Sequence, residues 1–92
     1  MQHLSLLSAA DIQKQLADTI RHKRKALKLS REALAEKSTV PAPTIKKFET
    51  TEQISLRQFV LLWQCVDELE RLADLCKPSP PEPRSIDEVL GL

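Results

Sequence analysis

The segment LSREALAEKSTVPAPTIKKFE, residues 29–49, decides how this chain is read. Ser30 precedes Arg31-Glu32-Ala33-Leu34-Ala35 in the position of an N-cap, where its hydroxyl can accept a backbone N–H that the helix leaves unpaired. This predicts a short helix running to about Lys37, with Ala33, Leu34 and Ala35 turned inward and the small residues allowing a close helix crossing. Pro41 and Pro43 then lie at or before the first turn of a second helix, where a missing N–H costs little. That helix is expected over residues 42–50, anchored on its inner face by Ile45 and Phe48, three positions apart.

Outward from this segment, the capping signals recur. Ser8 and Asp11 form a Ser-x-x-Asp capping box, with Leu7 and Ile12 placed as its hydrophobic staple. Ile12, Leu16, Ile20 and Leu27 follow at helical spacing, so a first helix is expected over residues 9–27. Ser55 and Gln58 repeat the box, with Ile54 and Phe59 as the staple. A fourth helix then carries Phe59, Leu62, Trp63 and Val66. Asp67 and Glu68 mark a break before a fifth with Leu69, Leu72, Ala73 and Cys76, the alternative being one continuous helix over residues 56–76. Four prolines within residues 78–83 remove donors and fix φ, which predicts an extended linker. Beyond it, Ser85 and Glu88 form a last capping box before Val89 and Leu90, enough for a short helix at most. The expected organisation is an arm (residues 1–8), a helical domain (9–76) and a Pro-rich linker and tail (77–92).

Composition agrees with an all-α class. The 92 residues include one Gly, three aromatics and no Tyr. The net charge of +1 hides an asymmetry, because residues 20–47 hold nine positive and two negative side chains and the rest hold five and eleven. A basic surface on an otherwise acidic body suits a polyanionic partner. No run approaches the roughly 18 apolar residues of a membrane span, and no secretory leader is recognisable, so a cytoplasmic protein is expected. Cys65 and Cys76, eleven residues apart without a ligand pattern around them, read as reduced, largely buried thiols. His3 and His22 have no carboxylate or nucleophile placed beside them, and the one Gly, at position 91, cannot build a phosphate-binding loop. No enzyme activity, cofactor or metal is therefore expected.

Two short helices joined by a tight turn have the layout of a helix-turn-helix, whose second helix enters the DNA major groove. With Ile45 and Phe48 inward, a wheel of about 100° per residue puts Pro43, Lys46 and Lys47 outward and Ala42 and Thr44 at the flanks. Lys46 and Lys47 can donate to guanine acceptors or phosphate, Thr44 offers a hydroxyl, and Ala42 and Pro43 offer apolar contact to a thymine methyl. The set is poor in Asn, Gln and Arg, so specificity is expected to lean on dimer spacing and DNA shape. Phosphate contacts are expected from Lys25 and Lys28, from Arg31, and from Thr50 and Thr51. Lys25 has an equal alternative role in compensating the helix dipole. Trp63 reads as a core aromatic or as an anchor of a homodimer interface; Val66, Leu69 and Leu72 are the further interface candidates.

The pattern Ile20, Arg21, Arg24, Leu27, then Leu29-Ser30-Arg31-Glu32-Ala33-Leu34-Ala35, then Val40, Thr44-Ile45 and Phe48-Glu49 resembles the Cro/C1-type (Xre-like) helix-turn-helix regulators over roughly residues 12–76. The resemblance implies four or five helices, a dimer on a palindromic double-stranded DNA operator, and contacts through Arg31, Ala42, Pro43, Thr44, Lys46 and Lys47. Within that family the size of the chain, Ile54-Ser55-Leu56, and the tail Pro83-Arg84-Ser85-Ile86-Asp87-Glu88-Val89-Leu90 are most similar to HipB-type antitoxins. Those pair with a HipA-like kinase toxin and repress their shared operon. The resemblance implies a kinase or accessory kinase subunit as partner, with the tail contacting it. The family usually has Gly where this chain has Thr39, and a β-branched residue at positive φ is costly, so the turn is expected to differ here. A stand-alone or phage-type repressor and a helical protein–protein interaction module are the alternative readings.

Overall fold

Ser8 starts the first helix with both halves of the capping box: its hydroxyl accepts from the Asp11 N–H at 3.1 Å, and the Asp11 carboxylate accepts from the Ser8 N–H at 2.9 Å. The computed structural model describes residues 6–78, and all the regular elements among the described residues are helices, without strands. The elements are α1 (Ala9–Ala26), α2 (Arg31–Ser38), α3 (Ala42–Thr51), α4 (Leu56–Val66) and α5 (Leu69–Ala73), followed by a 3-10 turn at Asp74–Cys76. The expected short helix after Ser85 and most of the Pro-rich tail lie outside the described residues. No described helix is long and apolar enough to cross a membrane.

α1 and α2 each pack against α3 and α4, while α5 reaches the body through α4. Between the first four helices lie Ala17, Ile20, Leu34, Val40, Ile45, Phe48, Phe59, Leu62 and Trp63. Ile20, Leu34, Ile45 and Leu62 are completely buried, and each such side chain contributes about 1.5–3 kcal/mol over its exposed state. Phe48 meets Phe59 edge to face at 5.9 Å between ring centroids, which joins the inner face of α3 to α4.

The buried stripe of α1 differs from the expected one. Ala17, Ile20 and Arg24 are buried, whereas Ile12 and Leu27 are 41% and 51% exposed. Leu27 stands seven residues from Ile20, but the helix ends at Ala26 and Leu27 is its C-cap, so helical spacing no longer directs its side chain inward. Arg24 takes the inward position instead. At the start of α4, Ser55 caps the Gln58 N–H at 3.2 Å, but its hydroxyl also donates to the Gln58 side-chain oxygen, so the expected box is rearranged.

The break between α4 and α5 is real, and its cause is local. Asp67 leaves the helix in an extended conformation and its carboxylate accepts the Glu68 N–H at 2.6 Å. The Trp63 indole N–H donates to the Glu68 carbonyl at 2.8 Å. Lys23 from α1 and Arg71 from α5 both pair with Asp67, at 2.7 and 2.6 Å, and both lie under 6 Å from the Trp63 ring centroid. A continuous helix over residues 56–76 would forfeit the bonds made by the Glu68 backbone, while the Asp67–Arg71 pair has the i,i+4 spacing that either path allows.

Three helix ends use a left-handed residue that is not glycine: Lys28 after α1, Thr39 after α2 and Glu52 after α3, with φ of 58°, 66° and 62°. The chain's one Gly, at 91, is far from all of them. Thr39 thus keeps the left-handed turn rather than departing from it. Its N–H closes on the Ala35 carbonyl at 2.9 Å, and the buried Ser38 hydroxyl accepts from Val40 at 3.1 Å. These bonds hold a conformation that costs an L-residue roughly 1–2 kcal/mol.

Candidate nucleic-acid interface

α3 begins after its N-cap Pro41, whose carbonyl accepts from Thr44 and Ile45 at 2.9 and 3.1 Å. Pro41 supplies no side-chain cap, and Pro43 fits the first turn because its missing donor would be unpaired there. With Ile45, Phe48 and Glu49 buried, Pro43, Lys46 and Lys47 face outward, and Ala42 and Thr44 lie half-buried beside them. Lys46 and Lys47 have no carboxylate partner among the described residues.

Beneath this face lies a charge that the sequence reading did not single out. Glu49 is buried, with its side chain 1% exposed. Arg24, whose side chain is 8% exposed, grips it bidentately, Nε to Oε2 at 2.8 Å and a terminal nitrogen to Oε1 at 3.0 Å. The other Arg24 terminal nitrogen donates to the Leu29 carbonyl at 2.8 Å. Arg31 adds its Nε to Glu49 Oε1 at 3.0 Å. Burial pushes the Glu49 carboxyl up, but the hydrogen bonds from Arg24 and Arg31 outweigh it and hold it below its ordinary value. One carboxylate therefore ties together the end of α1, the start of α2 and the last turn of α3. Two guanidinium groups share it, which leaves a net positive charge at the half-exposed Arg31. The signal was present in the helical spacing, since Arg24 continues the Ala17–Ile20 stripe and Glu49 the Ile45–Phe48 stripe.

The remaining candidates are distributed around α3. Lys25 and Lys28 are exposed at the end of α1. Thr50 and Thr51 are exposed, but their hydroxyls donate back to the Lys46 and Lys47 carbonyls, at 2.8 and 2.6 Å. Contact with a phosphate, which has only acceptors to offer, requires those hydroxyls to turn. Beside Thr44 and Lys47 a mainly polar cleft of about 420 Å3 opens toward Gln53, Ser55 and Gln58 at the start of α4. The sequence reading assigned Ser55 and Gln58 to capping and gave Gln53 no role. Their proximity to Lys47 arises from the path between α3 and α4, which residue spacing does not encode.

Trp63 is 8% exposed and takes the core position of its two readings. Val66 and Leu72 are half-buried against the core, while Leu69 is 41% exposed. Cys65 is half-buried, and burial pushes its thiol up. Cys76 is exposed, a correction to the buried position expected for it, because it closes the 3-10 turn at the edge of the body. No cluster of three or more His, Cys, Asp or Glu among the described residues is placed to hold a metal ion. Comparison with protein-family models, with curated proteins and with solved structures finds no match for this chain.

Proposed function

We propose that this protein is a sequence-specific DNA-binding repressor of the helix-turn-helix type, acting as a homodimer. The observation that carries the reading is the outer face of α3. It presents Pro43, Lys46 and Lys47 on a helix fixed from beneath by the Arg24–Glu49–Arg31 cluster. An α-helix about 10–12 Å across fits a major groove about 12 Å wide. In this reading Lys46 and Lys47 meet base edges or phosphate, Thr44 and Ala42 flank them, and Lys25, Lys28 and Arg31 set the register on the backbone. Gln53, Ser55 and Gln58 extend the contact surface on the side of Lys47. A dimer places two such helices one DNA turn apart.

The resemblance to HipB-type antitoxins extends the proposal to a partner, a HipA-like kinase toxin or an accessory kinase subunit whose operon this protein would repress. The tail then takes part in the kinase contact.

Fluorescence anisotropy against the chain's own upstream DNA and a shuffled control, across a salt series, tests the reading. Preference for the native DNA persists at about 150 mM salt, where non-specific binding is weak. The Lys46→Ala, Lys47→Ala double variant loses that preference while retaining its helical circular dichroism. Equal, salt-labile binding to both DNAs, or unchanged affinity of the double variant, refutes it.

A further inference from the structure

An apolar groove of about 540 Å3 opens on the body where α1, the end of α3, α4 and α5 meet. Leu16, Phe48, Ile54, Phe59, Leu72 and Leu75 form most of its wall, and Gln13 and Glu52 are its polar members. Leu56 and Leu75, both on the wall, are 79% and 80% exposed. An apolar surface of this kind in a small domain marks a place where something docks.

We propose that the occupant is the chain's own C-terminal segment, with Ile86, Val89 and Leu90 laid into the groove. The described chain ends at Pro78, two residues after the wall residue Cys76, so the segment is tethered at the groove itself. α5 ends at Ala73 and the 3-10 turn at Cys76, after which Lys77 is extended; the prolines at 78, 80, 81 and 83 disfavour resumption of the helix. The seven steps from Pro78 to Ser85 span about 22 Å in a polyproline conformation. α4, which lines the groove, is about 16 Å long, so the tether reaches any part of it. Ile86, Val89 and Leu90 stand at i, i+3 and i+4, the spacing of an amphipathic helix in a hydrophobic groove, and Ser85 with Glu88 supplies its capping box. So short a helix is unstable by itself and needs an apolar surface. A second copy would have to compete with a segment held at an effective concentration of the order of millimolar. Docking in this way makes the tail an internal plug that any partner of the tail must first displace.

The test compares methyl and aromatic NMR spectra of the full chain with those of its Val89→Asp, Leu90→Asp variant, over a wide dilution series. The Trp63 indole N–H, bonded to the Glu68 carbonyl, reports that the fold is kept. The expected result is a set of shift changes confined to Leu16, Phe59, Leu72 and Leu75 and independent of concentration, with nuclear Overhauser contacts from Val89 and Leu90 to the Phe59 ring in the wild type. Unmoved groove resonances overturn the proposal. So do changes that vanish on dilution, which assign the groove to a second copy, and contacts from Leu6 or Leu7, which assign it to the N-terminal arm.

Discussion

Replacing Glu49 by Ala leaves the guanidinium of Arg24 buried without its counter-charge. The Arg24 side chain is only 8% exposed, and two of its three hydrogen bonds go to Glu49 at 2.8 and 3.0 Å. The bond to the Leu29 carbonyl survives, but a neutral acceptor does not replace a carboxylate. Breaking a buried pair from one side costs about 3–5 kcal/mol, against roughly 0–1 kcal/mol for an exposed pair. A domain of this size has a total stability of about 5–15 kcal/mol, so the loss is a large share of it. In thermal terms it lowers Tm by at least about 12 °C, at roughly 4 °C or more per kcal/mol. Urea unfolding followed by circular dichroism measures it. The control is the joint replacement Arg24→Met, Glu49→Met, which removes both charges and fills similar space. It is expected to be close to neutral or stabilising, because the desolvation cost disappears with the charges. A Glu49→Ala loss under about 1 kcal/mol, or a double variant as unstable as the single one, would refute the reasoning that the pair is buried and mutually dependent.

Acid unfolding should follow from the same carboxylate. The folded Glu49 value lies below the ordinary 4.5, so its contribution is complete above that pH and is lost as pH falls through the lowered value. Asp67, held down first by its hydrogen bond to Lys23, loses its own contribution in the same direction, below 3.8. Urea midpoints measured from pH 7 to the acid limit should fall in that window, and Glu49→Gln should flatten the fall; an unaltered slope in that variant contradicts it. Thr39→Gly should raise stability by up to about 1 kcal/mol, because it removes the left-handed penalty at φ 66° on an exposed side chain, less the chain entropy that Gly adds. A fall in Tm would show that the Thr39 side chain contributes more than the backbone costs. Arg31→Ala should weaken all DNA sequences alike and lower the salt slope by about one ion, since Arg31 sits at the phosphate edge of the proposed interface. A loss confined to one operator sequence contradicts that placement.

Much of the architecture is legible in local signals. Ser8, Ser30 and Ser55 each cap the helix that their spacing announces, and the Ile45–Phe48 pair turns α3 as the wheel requires. The break at Asp67 was visible as one of two options, and the choice depends on Lys23 and Trp63, which come from two different helices. Leu27 departs from its expected inward position because helical spacing says nothing about the residue at which a helix stops.

By itself, the sequence determined the helices, their capped starts and the outer face of α3. These depend on residues three or four apart, and helical geometry relates such neighbours without knowledge of the rest of the chain. The tertiary structure alone decided which inward charges pair with one another and which surfaces are left open. Arg24 and Glu49 are 25 residues apart, and only packing α1 against α3 makes a core position suitable for an arginine. The groove between Leu16, Phe59 and Leu72 arises in the same way, from three helices that meet only once the chain has folded.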